Sequence, residues 1–81
     1  MAFVYILRCA DGSLDTGVAK DLGARLRSHL AGRASRYTRS RLPVTLVWWR
    51  ECATWSEGLR EECRIKRLRR PQKEQLLAAH A

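Results

Sequence analysis

Four side chains that could cooperate in phosphate chemistry are spread along this chain of 81 residues: Tyr5, Arg25, His29 and Glu62. A phenol or an imidazole can position or deprotonate a water molecule, and a guanidinium can bind phosphate oxygens. A carboxylate can hold a divalent cation, which acts as a Lewis acid. Hydrolysis of a phosphodiester bond needs these three functions together, so the set indicates that chemistry.

Glu62 occupies an unusual position in the helical pattern of the second half of the chain. Trp55, Leu59 and Cys63 recur every four residues and predict the apolar stripe of a helix, and Glu62 falls inside that stripe. Because a buried unpaired carboxylate is costly, we expect Glu62 to meet a cation. The pattern leaves two partners open, an arginine side chain or a bound metal ion.

Arg25 and His29 lie four residues apart on an earlier helical pattern, beside the stripe predicted by Leu22, Leu26 and Leu30. Residues at this spacing are neighbours on one helix face, so both side chains can face the edge of a sheet. Each has an ordinary structural explanation as a hydrogen-bonding group, and a strand tyrosine is commonly a core residue. The combination, rather than any single member, indicates a site.

The chain is strongly basic, with 16 Lys and Arg against 8 Asp and Glu and a formal net charge of +8. Between Leu22 and Arg50 there are seven arginines and no acidic residue. Guanidinium groups match phosphate oxygens, so this segment predicts a nucleic-acid partner, although a solvated basic surface would have the same composition. The candidate contacts are Arg27, Arg33, Arg36, Arg39 and Arg41.

Length and composition exclude several other classes of protein. A chain of 81 residues predicts one domain, residues 1–81. The longest apolar run, residues 3–7, is far shorter than the roughly 20 residues that span a bilayer, and no cationic leader precedes a longer one. Cys9, Cys52 and Cys63 fit neither a disulfide framework nor a C-x-x-C metal site, which favours reduced cysteines in the cytoplasm. Cys63 lies among arginines that could activate a thiol, but a buried filler is the simpler expectation.

The elements that must position these residues follow from periodicity and turn signals. The sequence predicts strands at 3–7, 13–18 and 44–49, helices at 20–31, 55–69 and 71–79, and an irregular basic loop at 32–42. Thr54 and Glu57 have the spacing of a capping box and mark a helix start. The resulting order, β-β-α-β-α-α, predicts an α+β fold with a small antiparallel three-stranded sheet flanked by helices.

Several segments resemble the GIY-YIG nuclease superfamily, and more closely its small stand-alone bacterial members. The resemblance covers nearly the whole chain in the family's order and spacing. The matching segments are 4–14, 16–18, 25–29, 36–39, 43–47 and 62–68.

The resemblance implies a metal-dependent endonuclease acting on DNA, structure-directed or linked to DNA repair, similar to the amino-terminal nuclease module of the excinuclease C subunit. Glu62 would then hold a single Mg²⁺ or Mn²⁺, and Arg25 would bind the scissile phosphate. Tyr5 would orient or deprotonate the attacking water, and His29 would have a supporting role. Tyr37 would assist in the basic loop, in contact with nucleic acid.

Two positions depart from the family pattern. Phe3 replaces the first motif's glycine, and Asp15 replaces the tyrosine that opens the second motif. Asp15 removes a phenol and adds negative charge where a phosphate should approach. It could pair with Arg25 and switch the site off, or it could join Glu62 in binding metal.

Asp15 therefore keeps a second function class open, a catalytically inactive basic module of the same fold that binds nucleic acid. A third class is a basic protein that docks on an acidic protein. The sequence does not distinguish DNA from RNA as the partner, nor a monomer from a homodimer.

Overall fold

The computed structural model describes residues 1–80, which form a three-stranded antiparallel sheet with helices on both faces. The elements are β1 (Ala2–Arg8), β2 (Leu14–Ala19), α1 (Leu22–Leu30), α2 (Arg36–Arg39), β3 (Thr45–Cys52), α3 (Trp55–Lys66) and α4 (Arg70–His80). The predicted α+β class and the order of strands and long helices are confirmed. The structure adds the one-turn helix α2 inside the segment predicted as an irregular loop.

Strand β1 lies at the centre of the sheet, in the order β2-β1-β3. Four consecutive residues, Val4 to Leu7, are buried, because both faces of this strand are covered. Tyr5 pairs with Gly17 on β2 and with Trp49 on β3, and the register with β3 shifts between Ile6 and Leu7. Strand β2 is therefore an edge strand with one neighbour.

Alternating side chains of β1 divide the core between the two faces. Val4 and Ile6 pack with Trp48, Cys52 and Ile65, on the face covered by α3. On the opposite face Tyr5 and Leu7 form a cluster with Cys9, Ala19 and Val44, and Leu22 and Leu26 of α1 pack against it. The candidate phenol of Tyr5 thus points toward α1.

The stripe predicted for α1 is partly wrong. Leu22 and Leu26 pack against the core, but Leu30 is exposed and His29 is buried. A helix advances by 3.6 residues per turn, so the face through Leu22 and Leu26 continues at His29 after seven residues rather than at Leu30 after eight. The histidine belongs to the buried face itself.

The predicted apolar stripe of α3 is wrong, because Trp55, Leu59 and Cys63 are all exposed. The helix turns Gly58 and Ile65 toward the sheet instead. A Cβ atom on Gly58 would lie 3.0 Å from side-chain carbons of Ala2 and Val18, so the glycine allows close approach. Cys63 is consequently not a buried filler.

The predicted capping box at the start of α3 is present. The Glu57 backbone N–H donates to Thr54 Oγ1 at 3.1 Å, and the Ala53 N–H donates to Glu57 Oε2 at 3.1 Å. These bonds satisfy backbone groups that the first turn of a helix leaves free. Among residues 1–80, no helix is long and apolar enough to cross a membrane.

Candidate active site

The site is built around Tyr5, whose ring lies on the backbone of the facing strand. Tyr5 is 2% exposed and pairs with Gly17 across β1 and β2. A Cβ atom at Gly17 would lie only 2.4 Å from Tyr5 Oη and 2.5 Å from Cζ. No side chain fits between them, so glycine is required at this position by the close approach of the phenol.

The Tyr5 hydroxyl joins the two polar residues predicted on α1. Its Oη atom lies 3.0 Å from His29 Nε2, and Arg25 Nε donates to the same oxygen at 3.2 Å. His29 Nδ1 in turn lies 2.8 Å from Thr38 Oγ1 on α2. Tyr5, Arg25 and His29, separated by up to 24 residues along the chain, therefore form one hydrogen-bonded group.

Burial sets the protonation of this group. Desolvation raises the pKa of Tyr5, although the hydrogen bond and charge of Arg25 act in the opposite direction. Desolvation also lowers the pKa of His29 below its ordinary value of 6.5, and the charge of Arg25 lowers it further. At neutral pH the phenol is protonated and the imidazole is uncharged, which lets the imidazole accept a proton.

Asp15 lies on the same edge strand, two residues before Gly17. Burial raises the pKa of Asp15, whereas His29 when it is protonated, together with the charges of Lys66 and Arg25, opposes that shift. The negative charge of Glu62 raises the pKa of Asp15 further by repulsion. No ion pair joins Asp15 to Arg25 within residues 1–80, so the structure does not contain the inhibitory pair considered from the sequence.

Glu62 reaches this region from α3. Its side chain is 20% exposed, and its Oε2 atom pairs with Lys66 Nζ at 3.2 Å, one turn along the helix. The expectation of a cation beside Glu62 is thus met by a lysine rather than by an arginine. Across residues 1–80, no cluster of three or more His, Cys, Asp or Glu side chains is arranged to hold a metal. Any ion there would depend on Glu62, with Asp15 as a further carboxylate candidate.

The basic segment forms a separate cleft of about 530 Å³ around the start of α2. Arg33, Arg36 and Arg39 line it, together with small residues such as Ala34. None of these arginines forms an ion pair with the part of the chain that the structure describes. Their guanidinium groups are exposed and available to an anion.

Arg41 and Tyr37 are engaged within the protein, in contrast to that cleft. Arg41 Nε pairs with Asp11 Oδ2 at 2.9 Å, and its guanidinium carbon lies 3.9 Å from the centre of the Tyr37 ring. Such stacking over an aromatic face is attractive. These contacts of Arg41 and Tyr37 therefore stabilise the basic segment. Arg27, the remaining candidate contact, is exposed on α1.

Sequence reasoning missed three residues that contact the site: Ser35, Thr38 and Lys66. Thr38 is fully buried and contacts His29, and Ser35 caps the short helix that carries it. Ser35 stands three residues before Thr38, a spacing at which the serine oxygen can accept from the Thr38 backbone N–H. That signal marks a helix start but does not reveal the contact with His29, which is tertiary.

Comparison with known proteins shows the family of the chain. The family model of the GIY-YIG catalytic domain matches residues 1–75. The chain therefore belongs to the GIY-YIG family, whose members form a superfamily of nucleases.

Within that family, the chain is similar to proteins of the group called UPF0213. It is 42% identical over 77 residues to one from Streptococcus pneumoniae, covering 95% of this chain and 78% of the relative. It is 47% identical over 75 residues to one from Staphylococcus aureus, covering 93% and 92%. The solution NMR structure of the UPF0213 protein of Bacillus halodurans matches with a TM-score of 0.64 and 40% identity, covering 98% of this chain and 85% of that one.

Proposed function

We propose that this protein is a metal-dependent endonuclease that hydrolyses phosphodiester bonds of DNA. The observation that carries the proposal is the buried Tyr5 hydroxyl held between Arg25 and His29, where His29 also contacts Thr38 of α2, the helix beside the arginine cleft. Family membership gives the reaction class, and the unpaired arginines of the α2 cleft favour a polyanionic substrate.

Each member of the hydrogen-bonded group has a role that its geometry supports. Arg25 uses its Nε to hold Tyr5, which leaves its terminal amino groups for an oxygen of the scissile phosphate. Tyr5 orients the attacking water, and the uncharged His29 holds the Tyr5 hydroxyl in position by a hydrogen bond. The positions of both rings are fixed by packing before substrate binds, which lowers the cost of reaching the reactive arrangement.

The acidic residues fit a single Mg²⁺ or Mn²⁺. Mg²⁺ in phosphoryl-transfer sites keeps several waters and is held by one or two carboxylates and the substrate phosphate. Glu62 offers Oε1, which has no hydrogen-bond partner within residues 1–80, and Asp15 offers a second carboxylate. Such an ion would supply positive charge to offset the charge that develops on the phosphate.

The decisive experiment compares two adjacent glutamates. The wild type, incubated with branched or nicked DNA and Mg²⁺ or Mn²⁺, should cut, and Glu62→Gln should lower the rate about 100-fold or more. Glu61→Gln is the matched control, because Glu61 lies on the same helix but pairs with Arg50 and Arg64. It should keep activity within a few-fold of the wild type. Equal cutting by Glu62→Gln, or undiminished cutting in chelator, contradicts the proposal.

Branched and nicked substrates are chosen because the family resemblance favours a structure-directed or repair-type enzyme. A linear duplex and a single strand of the same sequence complete the comparison, and RNA of that sequence tests the choice of nucleic acid. Preference for the branched or nicked substrate supports a role in DNA repair.

A second candidate function is favoured by one observation, the presence of Asp15 where the family has a tyrosine. In that case the protein binds nucleic acid without cutting it. Engagement of roughly five phosphates would give a log-log salt slope near −4.5 on duplex DNA. If the wild type binds but cuts nothing while Asp15→Tyr cuts, the binding module is the correct assignment.

A further inference from the structure

We infer that Thr38 is a positioning residue that fixes the tautomer of His29, so that Nε2 of the imidazole is the acceptor for the Tyr5 hydroxyl proton. The inference rests on the proposed function for its catalytic meaning. The tautomer itself is a property of the protein alone and is measured without substrate.

The groups around the Tyr5 hydroxyl decide which nitrogen of the His29 ring must be free of a proton. Arg25 Nε can only donate, so it uses one lone pair of Tyr5 Oη at 3.2 Å. The hydroxyl proton needs an acceptor, because Tyr5 is 2% exposed. Within residues 1–80, His29 Nε2 at 3.0 Å is the acceptor that the geometry offers. If Nε2 carried a proton instead, the buried hydroxyl proton of Tyr5 would have no acceptor.

The other nitrogen of the His29 ring, Nδ1, faces the Thr38 hydroxyl. Thr38 Oγ1 lies 2.8 Å from His29 Nδ1 and 2.9 Å from Ser35 Oγ. The Thr38 hydroxyl proton can go to Ser35, either to Oγ or to the backbone oxygen at 3.4 Å. Thr38 then accepts from Nδ1–H, and every donor in the chain has an acceptor. The contacts of Thr38 thus allow a proton on Nδ1, and the donors around Tyr5 select that tautomer.

The local structure around Thr38 fixes the contact between its hydroxyl and His29. Thr38 is 0% exposed, although it belongs to a helix of a single turn on the surface. The Ser35 side chain accepts from the Thr38 backbone N–H at 3.1 Å and so caps that turn. The short helix α2, which lies beside the arginine cleft, thereby holds the Thr38 hydroxyl against His29.

The tautomer sets the direction in which a proton can move. As water attacks phosphorus, one water O–H bond breaks and its proton joins Tyr5 Oη, whose remaining lone pair is not used by Arg25. The original Tyr5 O–H bond breaks at the same time, and that proton joins His29 Nε2. As the new bond from the water oxygen to phosphorus forms, the bond from phosphorus to the leaving sugar oxygen breaks, and that oxygen takes a proton from solvent. Tyr5 stays neutral, and His29 becomes an imidazolium, which later returns its proton to solvent. The opposite tautomer has no lone pair on Nε2 and cannot accept the proton.

The test uses nitrogen NMR of the His29 ring at a pH where the imidazole is neutral. The wild type should show a protonated Nδ1 and an unprotonated Nε2. Thr38→Val keeps the shape but removes the hydroxyl, so that Nδ1–H loses its acceptor, and the fraction of rings protonated on Nε2 should rise measurably. Thr38→Ser restores the hydroxyl and should restore the wild-type spectrum. In cleavage assays Thr38→Val should lower kcat about 10-fold or more with little change in KM, and Thr38→Ser should recover most of it.

A wild-type ring protonated on Nε2 overturns the inference, as does an unchanged tautomer in a folded Thr38→Val variant. If that variant fails to fold, the wild-type and Thr38→Ser spectra still decide the tautomer. A wild type that cuts no DNA refutes the proposed nuclease function, whereas the spectra alone decide the position of the proton.

Discussion

Replacing Gly17 by alanine tests whether the Tyr5 ring is as tightly placed as the structure has it. The added Cβ would lie 2.4 Å from Tyr5 Oη and 2.5 Å from Cζ, whereas non-bonded carbon atoms prefer about 3.5 to 4.0 Å. The ring must therefore move by about 1 Å or more. Overpacking of this kind costs about 1 to 3 kcal/mol, and disruption of the bonds to Arg25 and His29 adds about 0.5 to 1.5 kcal/mol each.

The expected loss is thus about 2 to 6 kcal/mol, which lowers the Tm of a domain of this size by roughly 10 °C or more. Thermal unfolding followed by circular dichroism measures it. Gly23→Ala is the matched control, because the nearest atom to its Cβ lies 3.4 Å away on an exposed helix face. That control should gain up to about 1 kcal/mol.

A double-mutant cycle with Tyr5→Leu assigns the cost to the ring. In the Tyr5→Leu background, Gly17→Ala should cost less than about 1 kcal/mol, because the aromatic atoms in its way are gone. Equal costs in the two backgrounds, or a Gly17→Ala variant within about 0.5 kcal/mol of the wild type, would refute the reasoning.

Three further predictions follow from charge and exposure. Asp15→Asn should stabilise the protein at neutral pH, because burial makes the charged carboxylate less favourable in the folded state than in the unfolded chain. In urea titrations this gain in stability should vanish as the pH falls below 3.8, the ordinary pKa of the carboxyl group. A gain that stays constant with pH contradicts the prediction. Joint substitution of Arg36 and Arg39 by alanine should reduce the log-log salt slope of DNA binding by about 1.8. Arg41→Ala should change the slope less, because Arg41 is paired with Asp11. If the double variant has the same slope as the wild type, the cleft is not a phosphate site. Of the three free cysteines, Cys63 should react first with a thiol reagent, and uniform reaction rates in the folded protein argue against the burial of the others.

Local signals in the sequence were sufficient for much of the fold. The periodicity of strand and helix residues and the capping box at Thr54 each depend on neighbours within a few positions. They correctly gave the order of the strands and long helices. The face of α3 could not be obtained in this way, because Gly58 is buried by the close approach of Ala2 and Val18, which are distant in the chain.

The candidate site, like the fold, could be predicted from the sequence only in part. The sequence itself contains the residue types, the spacing of Arg25 and His29 on one helix, and the substitution at Asp15. The residue types and that spacing are enough to indicate phosphate chemistry. Tertiary structure alone decided that Tyr5 meets His29, that Thr38 lies behind the imidazole, and that Glu62 pairs with Lys66 rather than with an arginine. Periodicity reports which face of an element is apolar. The partner of a polar atom depends on packing between elements, which brings together residues up to 24 positions apart and leaves no local pattern.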